Sequence, residues 1–271
     1  MKIEITKGKI PKAERVVIYG PEGIGKSTFA AQFPDPLFID TEGSTNELDV
    51  KRLPAQLEWN HIVEEICYVI NQPDCCKTLV IDTVDWCEKL CIEYIVSKAD
   101  ASTPGKRITS IEDFGYGKGY TRLAEEFKGF LDALSAVSDL GINVVLTAHA
   151  QMRKFERPDE SGAYDRWELK LEKKDCPLIK EWATMVLFAN YDIVVVKDSN
   201  NHAKAHGGQR VMYTTHHPCW DAKNRKGMPD KMPFSYESIA EYIRPDVATS
   251  DTAALSLPID YAKVEDSPFD F

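Results

Sequence analysis

Short apolar runs alternate with longer amphipathic segments along most of the chain, a pattern typical of strands followed by helices. Seven runs are strand-like, at residues 15–19, 37–40, 78–82, 142–148, 184–189, 193–196 and 210–214. The third, fourth and sixth are almost continuously hydrophobic, as expected for strands buried on both faces. Apolar residues recur every three or four positions in segments 58–70, 84–96 and 120–140. The alternation predicts an α/β fold, a mostly parallel sheet with helices on both faces.

Three segments depart from this pattern. Residues 99–119 are rich in glycine, and residues 152–177 are highly charged, so both are predicted to be long loops, which are uncommon unless they are functional or disordered. Residues 246–271 contain six acids and one base, a net charge of −5, and few long apolar stretches. We therefore predict one domain over residues 1–245 and an acidic, disordered tail over 246–271.

Composition narrows the class of protein. The 271 residues suit one α/β domain, and 43% hydrophobic with 28% charged residues is close to globular averages. A net charge of −10 excludes a generally basic nucleic-acid coat but leaves room for a local basic patch. No apolar run approaches the ~18 residues of a membrane span, and the N-terminus lacks an apolar signal core. We expect no membrane partner.

The seven cysteines are odd in number and include no C-x-x-C pair, which disfavours a disulfide framework or a structural zinc site. Reduced thiols and a cytoplasmic location fit better. Cys87 and Cys91 are four residues apart on a predicted helix and are interpreted as small core residues.

A phosphate-binding loop follows the first predicted strand. Residues 20–27 match the pattern G-x-x-x-x-G-K-[ST] and open a helix at Lys26. Glycines allow backbone N–H groups to turn inward around a phosphate, Lys26 can reach the terminal phosphates, and the Ser27 hydroxyl can bind Mg²⁺. We predict that ATP binds here, in contact with Gly20, Pro21, Glu22, Gly23, Ile24, Gly25, Lys26, Ser27 and Thr28.

Carboxylates stand at the ends of the next strands. Asp82 ends the hydrophobic run 78–82 and is predicted to hold the hydration shell of Mg²⁺. The following residue is Thr83, where many nucleotide hydrolases carry the acid that polarises the attacking water. Glu42, at the carboxyl end of the second strand, is the best candidate for that role, with Asp40 as the alternative.

His149 ends the fourth strand-like run. A polar side chain at that end can contact the γ-phosphate and report hydrolysis to the adjoining loop. A histidine satisfied within the core is the other interpretation.

Several of these segments together resemble the RecA-type recombinase core, and more closely the phage-encoded RecA-like ATPases associated with single-strand annealing. The resemblance spans about residues 12–235 and is carried by the phosphate loop 20–27 and by segments 38–42, 79–82, 147–151 and 220–225. It implies a RecA-like P-loop fold and an ATPase active in DNA recombination.

The resemblance also implies a homo-oligomer with ATP between subunits. Two basic residues of one subunit, here Lys223 and Arg225, would reach the γ-phosphate bound by the neighbour. A cationic finger stabilises the charge that phosphoryl transfer spreads over the equatorial oxygens. A solvated basic turn is the alternative.

The two long loops correspond, by the same resemblance, to sites for single-stranded DNA. Candidate contacts are Phe114, Tyr116 and Lys118 in the first loop and Arg153 and Lys154 in the second. Aromatic rings stack on bases, and cations meet the backbone. The second loop contains as many acids as bases, so a solvated lid is an equal alternative there.

The sequence therefore predicts a DNA-stimulated ATPase of phage-type recombination that acts on single-stranded DNA. An accessory ATPase or loader without its own DNA binding, a P-loop small-molecule kinase, and an interaction protein with a structural ATP site are the alternatives. Ile3 and Ile5 alternate with charged residues, so this segment could form an edge strand, either on a neighbour's sheet or on the chain's own sheet. The tail, which ends in Pro-Phe-Asp-Phe, could recruit a single-strand-binding protein or another recombination protein, cover the chain's own DNA loops, or only solubilise the chain.

Overall fold

A computed structural model describes residues 10–54, 58–102, 107–156, 162–197 and 203–243, together with Ile5, Lys7 and Gly8. The proposed tail 246–271 and Ile3 lie outside these residues. Ile5 is 96% exposed and belongs to no strand, so an edge strand on the chain's own sheet is not seen at that residue.

Nine strands and five α-helices make up the described part of the chain. The strands are β1 Arg15–Gly20, β2 Pro36–Asp40, β3 Lys51–Arg52, β4 Thr78–Asp82, β5 Asn143–Glu156, β6 Ala163–Leu169, β7 Met185–Lys197, β8 Ala203–Tyr213 and β9 Lys231–Pro233. The helices are α1 Lys26–Ala30, α2 Trp59–Asn71, α3 Val84–Ser102, α4 Lys118–Asp139 and α5 Asp175–Trp182. Short 3₁₀ turns at Pro73–Cys75, Ile111–Phe114, Tyr236–Ser238 and Ala240–Tyr242 complete the fold.

The strands form one mixed sheet in the order β3-β2-β4-β5-β1-β7-β8-β9, with β6 paired to β5 outside this path. Pairing is parallel from β3 to β7, whereas β8, β9 and β6 add antiparallel edges. The predicted α/β class and mostly parallel sheet are confirmed. Because β5 lies between β1 and β4, the ends of three parallel strands meet at one edge.

Two hydrophobic layers cover the sheet. Helices α2, α3, α4 and α5 pack on one face, where the apolar stripe of α4 contributes fully buried Leu123, Phe127 and Leu134. Helix α1 and the segment 228–243 cover the other face, where Phe29 stacks on Phe234 at 4.8 Å between ring centroids. Helices thus lie on both faces, although the second face is closed mainly by 3₁₀ turns and extended chain.

The prediction of a long loop over 152–177 was wrong. Strand β5 continues past the core to Glu156 and forms a hairpin with β6, and helix α5 begins at Asp175. In the outer half of this hairpin, successive side chains point to opposite faces, and both faces meet solvent. Its sequence therefore contains no continuous apolar run. Cross-strand hydrogen bonds, which leave little trace in hydropathy, hold it instead.

Two further boundaries differ from prediction. The runs 184–189 and 193–196 form a single strand, β7, in which a bulge at Asp192/Ile193 absorbs the polar interruption. Helix α3 extends to Ser102 and α4 begins at Lys118, which shortens the first predicted loop. The rest of that loop contains a 3₁₀ turn, Ile111–Phe114.

All seven cysteines are free, and Cys87 and Cys91 are fully buried as predicted. Among the described residues, no helix is long and apolar enough to cross a membrane.

Candidate active site

The phosphate loop joins β1 to α1 in the strand–loop–helix arrangement that its sequence predicts. A Cβ atom on Gly20 would lie 2.4 Å from the carbonyl oxygen of Ala189 in β7, so only glycine lets the loop leave the sheet there. Gly25 has φ 101°, a left-handed conformation that side chains disfavour. Arg210 of β8 donates a hydrogen bond to the carbonyl of Ile24 at 3.2 Å and braces the loop from outside.

Lys26 lies folded across this loop. Its side chain is buried, and Nζ donates to the carbonyl oxygens of Gly20 at 3.3 Å and Pro21 at 3.1 Å. Burial lowers the pKa of Lys26, while the charges of Asp85 and Asp82 raise it in part. A phosphate at the loop would add a negative partner and favour the charged amine.

A cavity of about 370 Å³ opens over the loop. This volume falls in the range of sites for small ligands, ~300–1,000 Å³. Its walls combine the phosphate loop, the segment after β2 and the ends of β4 and β5, through Glu22, Gly23, Gly25, Lys26, Ser27, Thr28, Glu42, Ser44, Glu47, Leu48, Thr83 and His149. Most residues predicted to contact ATP, and two predicted catalytic residues, therefore line one cavity.

The ends of β2 and β4 are joined beneath this cavity. Asp40 pairs with Asp82 in the parallel register, and the Thr41 hydroxyl both donates to the Thr83 carbonyl at 2.9 Å and accepts from the Thr83 amide at 3.0 Å. Because the two strands end together, Glu42 and Asp82 approach the same side of the site, as the sequence predicts.

Asp40 shapes the segment that carries Glu42. One of its carboxylate oxygens accepts amide hydrogen bonds from Glu42, Gly43 and Ser44, and the other accepts from the Thr45 amide and hydroxyl. Burial alone would raise the pKa of Asp40, but these hydrogen bonds lower it overall. Since both oxygens are engaged by the loop, the geometry favours Glu42 over Asp40 as the base.

Glu42 faces a histidine–aspartate pair. Its Oε2 lies 4.0 Å from His149 Nε2, and His149 Nδ1 lies 2.8 Å from Asp85 Oδ2. The backbone N–H of His149 also donates to Asp85 Oδ1 at 2.9 Å, and His149 pairs in register with Gly20. Asp85 therefore orients the imidazole between the phosphate loop and Glu42.

The surroundings shift the pKa values of Glu42 and Asp85 in opposite directions. Partial burial raises the pKa of Glu42, and the charges of Asp85 and Asp82 add to this, against His149 and Lys26. Burial would also raise the pKa of Asp85, but hydrogen bonds from His149 lower it. Asp85 thus stays ionised, whereas Glu42 is the more basic carboxylate, as suits proton abstraction.

The donors available to a magnesium ion are hydroxyl and carboxylate oxygens. Asp82 is fully buried, accepts from Ser44 Oγ at 3.0 Å through Oδ2, and is hydrogen-bonded to the Thr147 hydroxyl through Oδ1. Ser27 and Ser44 line the cavity. These groups fit Mg²⁺ held largely by nucleotide and water rather than by a protein cage, and the described residues contain no cluster of three or more His, Cys, Asp or Glu side chains that could hold a metal ion.

Comparison with protein families agrees with this geometry. The profile of a family described as AAA domain matches residues 12–226, which is most of the chain. The chain belongs to the AAA domain family. It therefore contains a P-loop ATPase-type domain that binds nucleotide. Comparison with curated proteins finds no significant match.

Lys223 and Arg225 lie at the other edge of this AAA domain. The backbone of Lys223 pairs with Val186 of β7, and Lys226 forms an ion pair with buried Glu14 beside the start of β1. Val186 lies beside Val17, three residues before Gly20, so at about 3.3 Å per residue the Lys223 backbone is about 10 Å or more from the loop. The chain thus holds both cations toward the amino end of β1, near Arg15 and away from its own phosphate loop.

A second cavity, of about 570 Å³, surrounds these cations and is lined also by Lys180, Glu181 and Asp221. Lys223 Nζ donates to the carbonyl of Lys180 at 2.6 Å, while Arg225 is exposed. Burial lowers the pKa of Lys223, and the charges of Arg225 and Arg15 lower it further. The AAA domain thus concentrates positive charge at the edge opposite its phosphate loop.

The residues predicted to contact DNA differ in their surroundings. Phe114 is half-buried against the core, with the Arg122 guanidinium 5.1 Å from its ring centre, whereas Tyr116 is fully exposed and Lys118 begins α4. In the hairpin, Lys154 is exposed, but Arg153 donates to the Leu171 carbonyl at 2.7 Å. Tyr116 and Lys154 are free to meet a ligand, and Phe114 and Arg153 also support the fold.

Sequence analysis missed three residues that build the site. Asp85 stands three positions after Asp82, in the first turn of α3, and an acid at that spacing was a usable signal. Arg52 of β3 donates to the carbonyls of Thr45 and Leu48 and holds the segment after β2. Only strand pairing brings Arg52 to the segment after β2 and Arg210 to the phosphate loop. No local sequence pattern therefore identifies either residue.

Proposed function

We propose that this AAA domain hydrolyses ATP with Glu42 as the general base. The observation that carries the proposal is the convergence of Glu42, His149 and Lys26 on one cavity over the phosphate loop. Glu42 takes a proton from water as the water oxygen bonds to the γ-phosphorus. The bond from that phosphorus to the β–γ bridging oxygen breaks, ADP leaves with the electron pair, and inorganic phosphate forms.

The chain's own groups divide the remaining work. Backbone N–H groups of the loop and Lys26 bind the phosphates, and Ser27, Ser44 and Asp82 would hold Mg²⁺ through hydroxyl and carboxylate oxygens. When bound, Mg²⁺ supplies positive charge that neutralises the β- and γ-phosphate oxygens. His149, kept in place by Asp85, stands where it can contact the γ-phosphate and respond to its loss.

The proposed site is completed by a second copy of the chain. Lys223 and Arg225 lie on the edge opposite the phosphate loop, with Arg15 and Lys226 nearby, while the cavity edge carries Glu42, Asp82 and Asp85. Stacking one copy on the next, head to tail, brings the basic edge to the acidic one. A homo-oligomer with ATP at each interface would then be the active form.

Single-stranded DNA is the proposed activating ligand, in recombination or annealing of the phage type. A third cavity, of about 400 Å³, is lined by the cations Lys89, Arg153 and Lys170, by partly exposed Trp86, and by the acids Asp85, Glu88 and Glu172. Cations and an aromatic ring beside the histidine–aspartate pair suit a nucleic-acid strand whose binding alters turnover. The exposed Tyr116 and Lys154 would add contacts.

ATPase rates measured with and without single-stranded DNA, over a range of protein concentration, test the proposal. We expect the rate per subunit to rise with concentration as copies assemble, and to rise again with DNA. Turnover that is independent of both would overturn the oligomeric and DNA parts and leave an accessory ATPase. Phosphate transfer to a small acceptor in place of water would indicate a kinase.

Mixing two inactive variants tests the shared site directly. Lys26→Ala retains Lys223 and Arg225, and Arg225→Ala retains the phosphate loop. In an equal mixture with random assembly, about one interface in four combines both intact halves. We expect activity to return toward that fraction, and co-assembly without any recovery would show that the cations do not act between subunits.

A further inference from the structure

Asp221 lies at a junction between the nucleotide-binding strand and the segment that carries Lys223 and Arg225. Its backbone carbonyl accepts a hydrogen bond from the Tyr19 hydroxyl at 2.6 Å, and its amide donates back to that hydroxyl at 3.0 Å. Tyr19 is fully buried and immediately precedes Gly20, the first residue of the phosphate loop. One side of the junction therefore belongs to the strand that positions bound nucleotide.

The β5–β6 hairpin reaches the same point. Arg166 of β6 forms an ion pair with Asp221 Oδ1, and the next residue, Trp167, donates its amide to the Cys219 carbonyl at 2.8 Å. Only 8% of the Arg166 side chain and 13% of the Asp221 side chain are exposed. Strand β5 passes the cavity at His149, just before its outer half pairs with β6. The hairpin thus spans from the nucleotide site to Asp221.

Helix α5 completes the junction on the side of the cations. Lys180 Nζ donates to Asp221 Oδ2 at 2.7 Å, and the carbonyl of Lys180 accepts from Lys223 Nζ at 2.6 Å. Lys180, Asp221 and Lys223 line the same 570 Å³ cavity. Lys223 is therefore held against the end of α5, and Asp221 helps to fix the position of that helix end.

We propose that Asp221 is a positioning residue that couples the hairpin of one subunit to the cations that it offers to its neighbour's ATP. The proposal rests on the proposed function, in which Lys223 and Arg225 act between subunits. A carboxylate is required because it joins two cations from separate elements within a poorly exposed setting. Without the charge of Asp221, Arg166 and Lys180 lose their common partner. The segment from Asp221 to Arg225 is then no longer held against the hairpin and α5 together.

The chain's own nucleotide site does not depend on this carboxylate. Tyr19 contacts only the backbone of residue 221, which a change from Asp to Asn preserves. The acids around the cavity are held by Thr45, Ser44 and His149 instead. The proposal therefore places the defect of an Asp221 variant at the neighbouring subunit's site rather than its own.

Asp221→Asn is the principal test. We expect ATP affinity close to that of the unaltered chain and turnover reduced by about tenfold to a hundredfold, the cost of misplacing a catalytic group by about 1 Å. Mixed in equal amounts with Lys26→Ala, each Asp221→Asn subunit has an intact neighbouring finger about half the time. Its turnover should then rise to about half the normal rate per subunit.

Two further variants separate positioning from damage to the fold. Lys180→Met removes the more exposed of the two cations and should give a smaller loss of turnover that Lys26→Ala also rescues. Asp192→Asn, which breaks the exposed ion pair with Lys231, is the matched control and should leave turnover unchanged. Thermal unfolding and nucleotide affinity, measured for every variant, report on the fold and on the variant's own site.

The outcomes distinguish this inference from the proposed function. If Arg225→Ala and Lys26→Ala co-assemble without complementing each other, cations do not act between subunits, and the intersubunit part of the proposed function falls together with this inference. If that pair complements but folded Asp221→Asn is not rescued by Lys26→Ala, Asp221 serves its own site and this inference alone is wrong. Unreduced turnover in Asp221→Asn overturns it as well.

Discussion

The two edges of the parallel sheet carry opposite charge and are built in different ways. At the carboxyl edge, Glu42, Asp82 and Asp85 lie around buried Lys26, and hydroxyl and amide hydrogen bonds hold the strand ends together. At the amino edge, the four cations Arg15, Lys223, Arg225 and Lys226 lie among the acids Glu14, Asp139 and Glu181, and Arg225 remains exposed. The carboxyl edge buries Lys26 beside a cavity of about 370 Å³, while the amino edge leaves Arg225 exposed beside a cavity of about 570 Å³.

In the proposed function, a single chain contains both halves of the catalytic site and cannot combine them within itself. Parallel strands bring their carboxyl ends together, which gathers acids and a phosphate loop but leaves the fold no means of bringing the cations there. In that proposal, the acidic edge of one copy receives positive charge from the basic edge of another. The proposed head-to-tail assembly would bring the two edges together.

Lys26→Ala should have the largest effect on the carboxyl edge, because it removes the charge that binds the phosphates and leaves the amino edge intact. We expect turnover to fall at least about a hundredfold, because the charge on the terminal phosphates is lost. Lys12→Ala, which removes an exposed lysine paired with Asp139, is the matched control. Steady-state ATP hydrolysis checks the effect, and retained turnover in Lys26→Ala would refute the phosphate-loop assignment.

Glu42→Gln separates chemistry from binding within the same edge. The amide cannot accept the proton of water, so we expect turnover to fall about a hundredfold while Mg-ATP still binds. Asp40→Asn should instead lower the melting temperature, because it weakens the hydrogen bonds that shape residues 41–45. Nucleotide affinity, turnover and thermal unfolding are measured on both variants. Normal turnover in Glu42→Gln would make another group the base.

Glu65 of α2 offers a contrast with the acids that line the cavity. It is buried, its two oxygens find no hydrogen-bond partner, and burial raises its pKa from 4.5 to about 7, with a smaller contribution from Glu64. The folded state therefore holds its proton more tightly than the unfolded state, so stability falls as pH rises from about 4.5 to about 7 and then stays low.

Glu65→Gln should remove that loss. We expect the variant to gain about 2 kcal/mol of unfolding free energy at pH 8 relative to the unaltered chain, and little at pH 4. Denaturant unfolding at the two pH values measures the difference. A gain that is equal at both values would mean that packing, and not ionisation, explains the change.

Tyr116→Ala and Phe114→Ala extend the comparison to the loop before α4 and have the smallest expected effect on activity. Loss of one base stack from exposed Tyr116 should weaken binding of single-stranded DNA by about 1–3 kcal/mol, with ATP binding unchanged. Phe114→Ala should mainly lower thermal stability, since Phe114 packs under Arg122. Fluorescence anisotropy with a labelled oligonucleotide and thermal unfolding separate the two, and equal DNA affinity for Tyr116→Ala would move the DNA site elsewhere.

The sequence by itself determined the phosphate loop, the principal strands and the shared edge of Glu42 and Asp82. These follow from local chemistry: glycines at sharp turns, apolar runs for buried strands, and the rule that parallel strands end at one edge. It also identified α4 closely, because a helix with one apolar face repeats every three to four residues whatever it packs on.

Only the tertiary structure decided what lies between these elements. The β5–β6 hairpin, the continuous β7, the Asp85–His149 pair and the position of Arg210 depend on hydrogen bonds between residues distant in sequence, which hydropathy does not record. The same holds for the basic edge. Lys223 and Arg225 are a short polar motif in the sequence, and pairing with Val186 of β7 alone places them at the end of the sheet away from the phosphate loop.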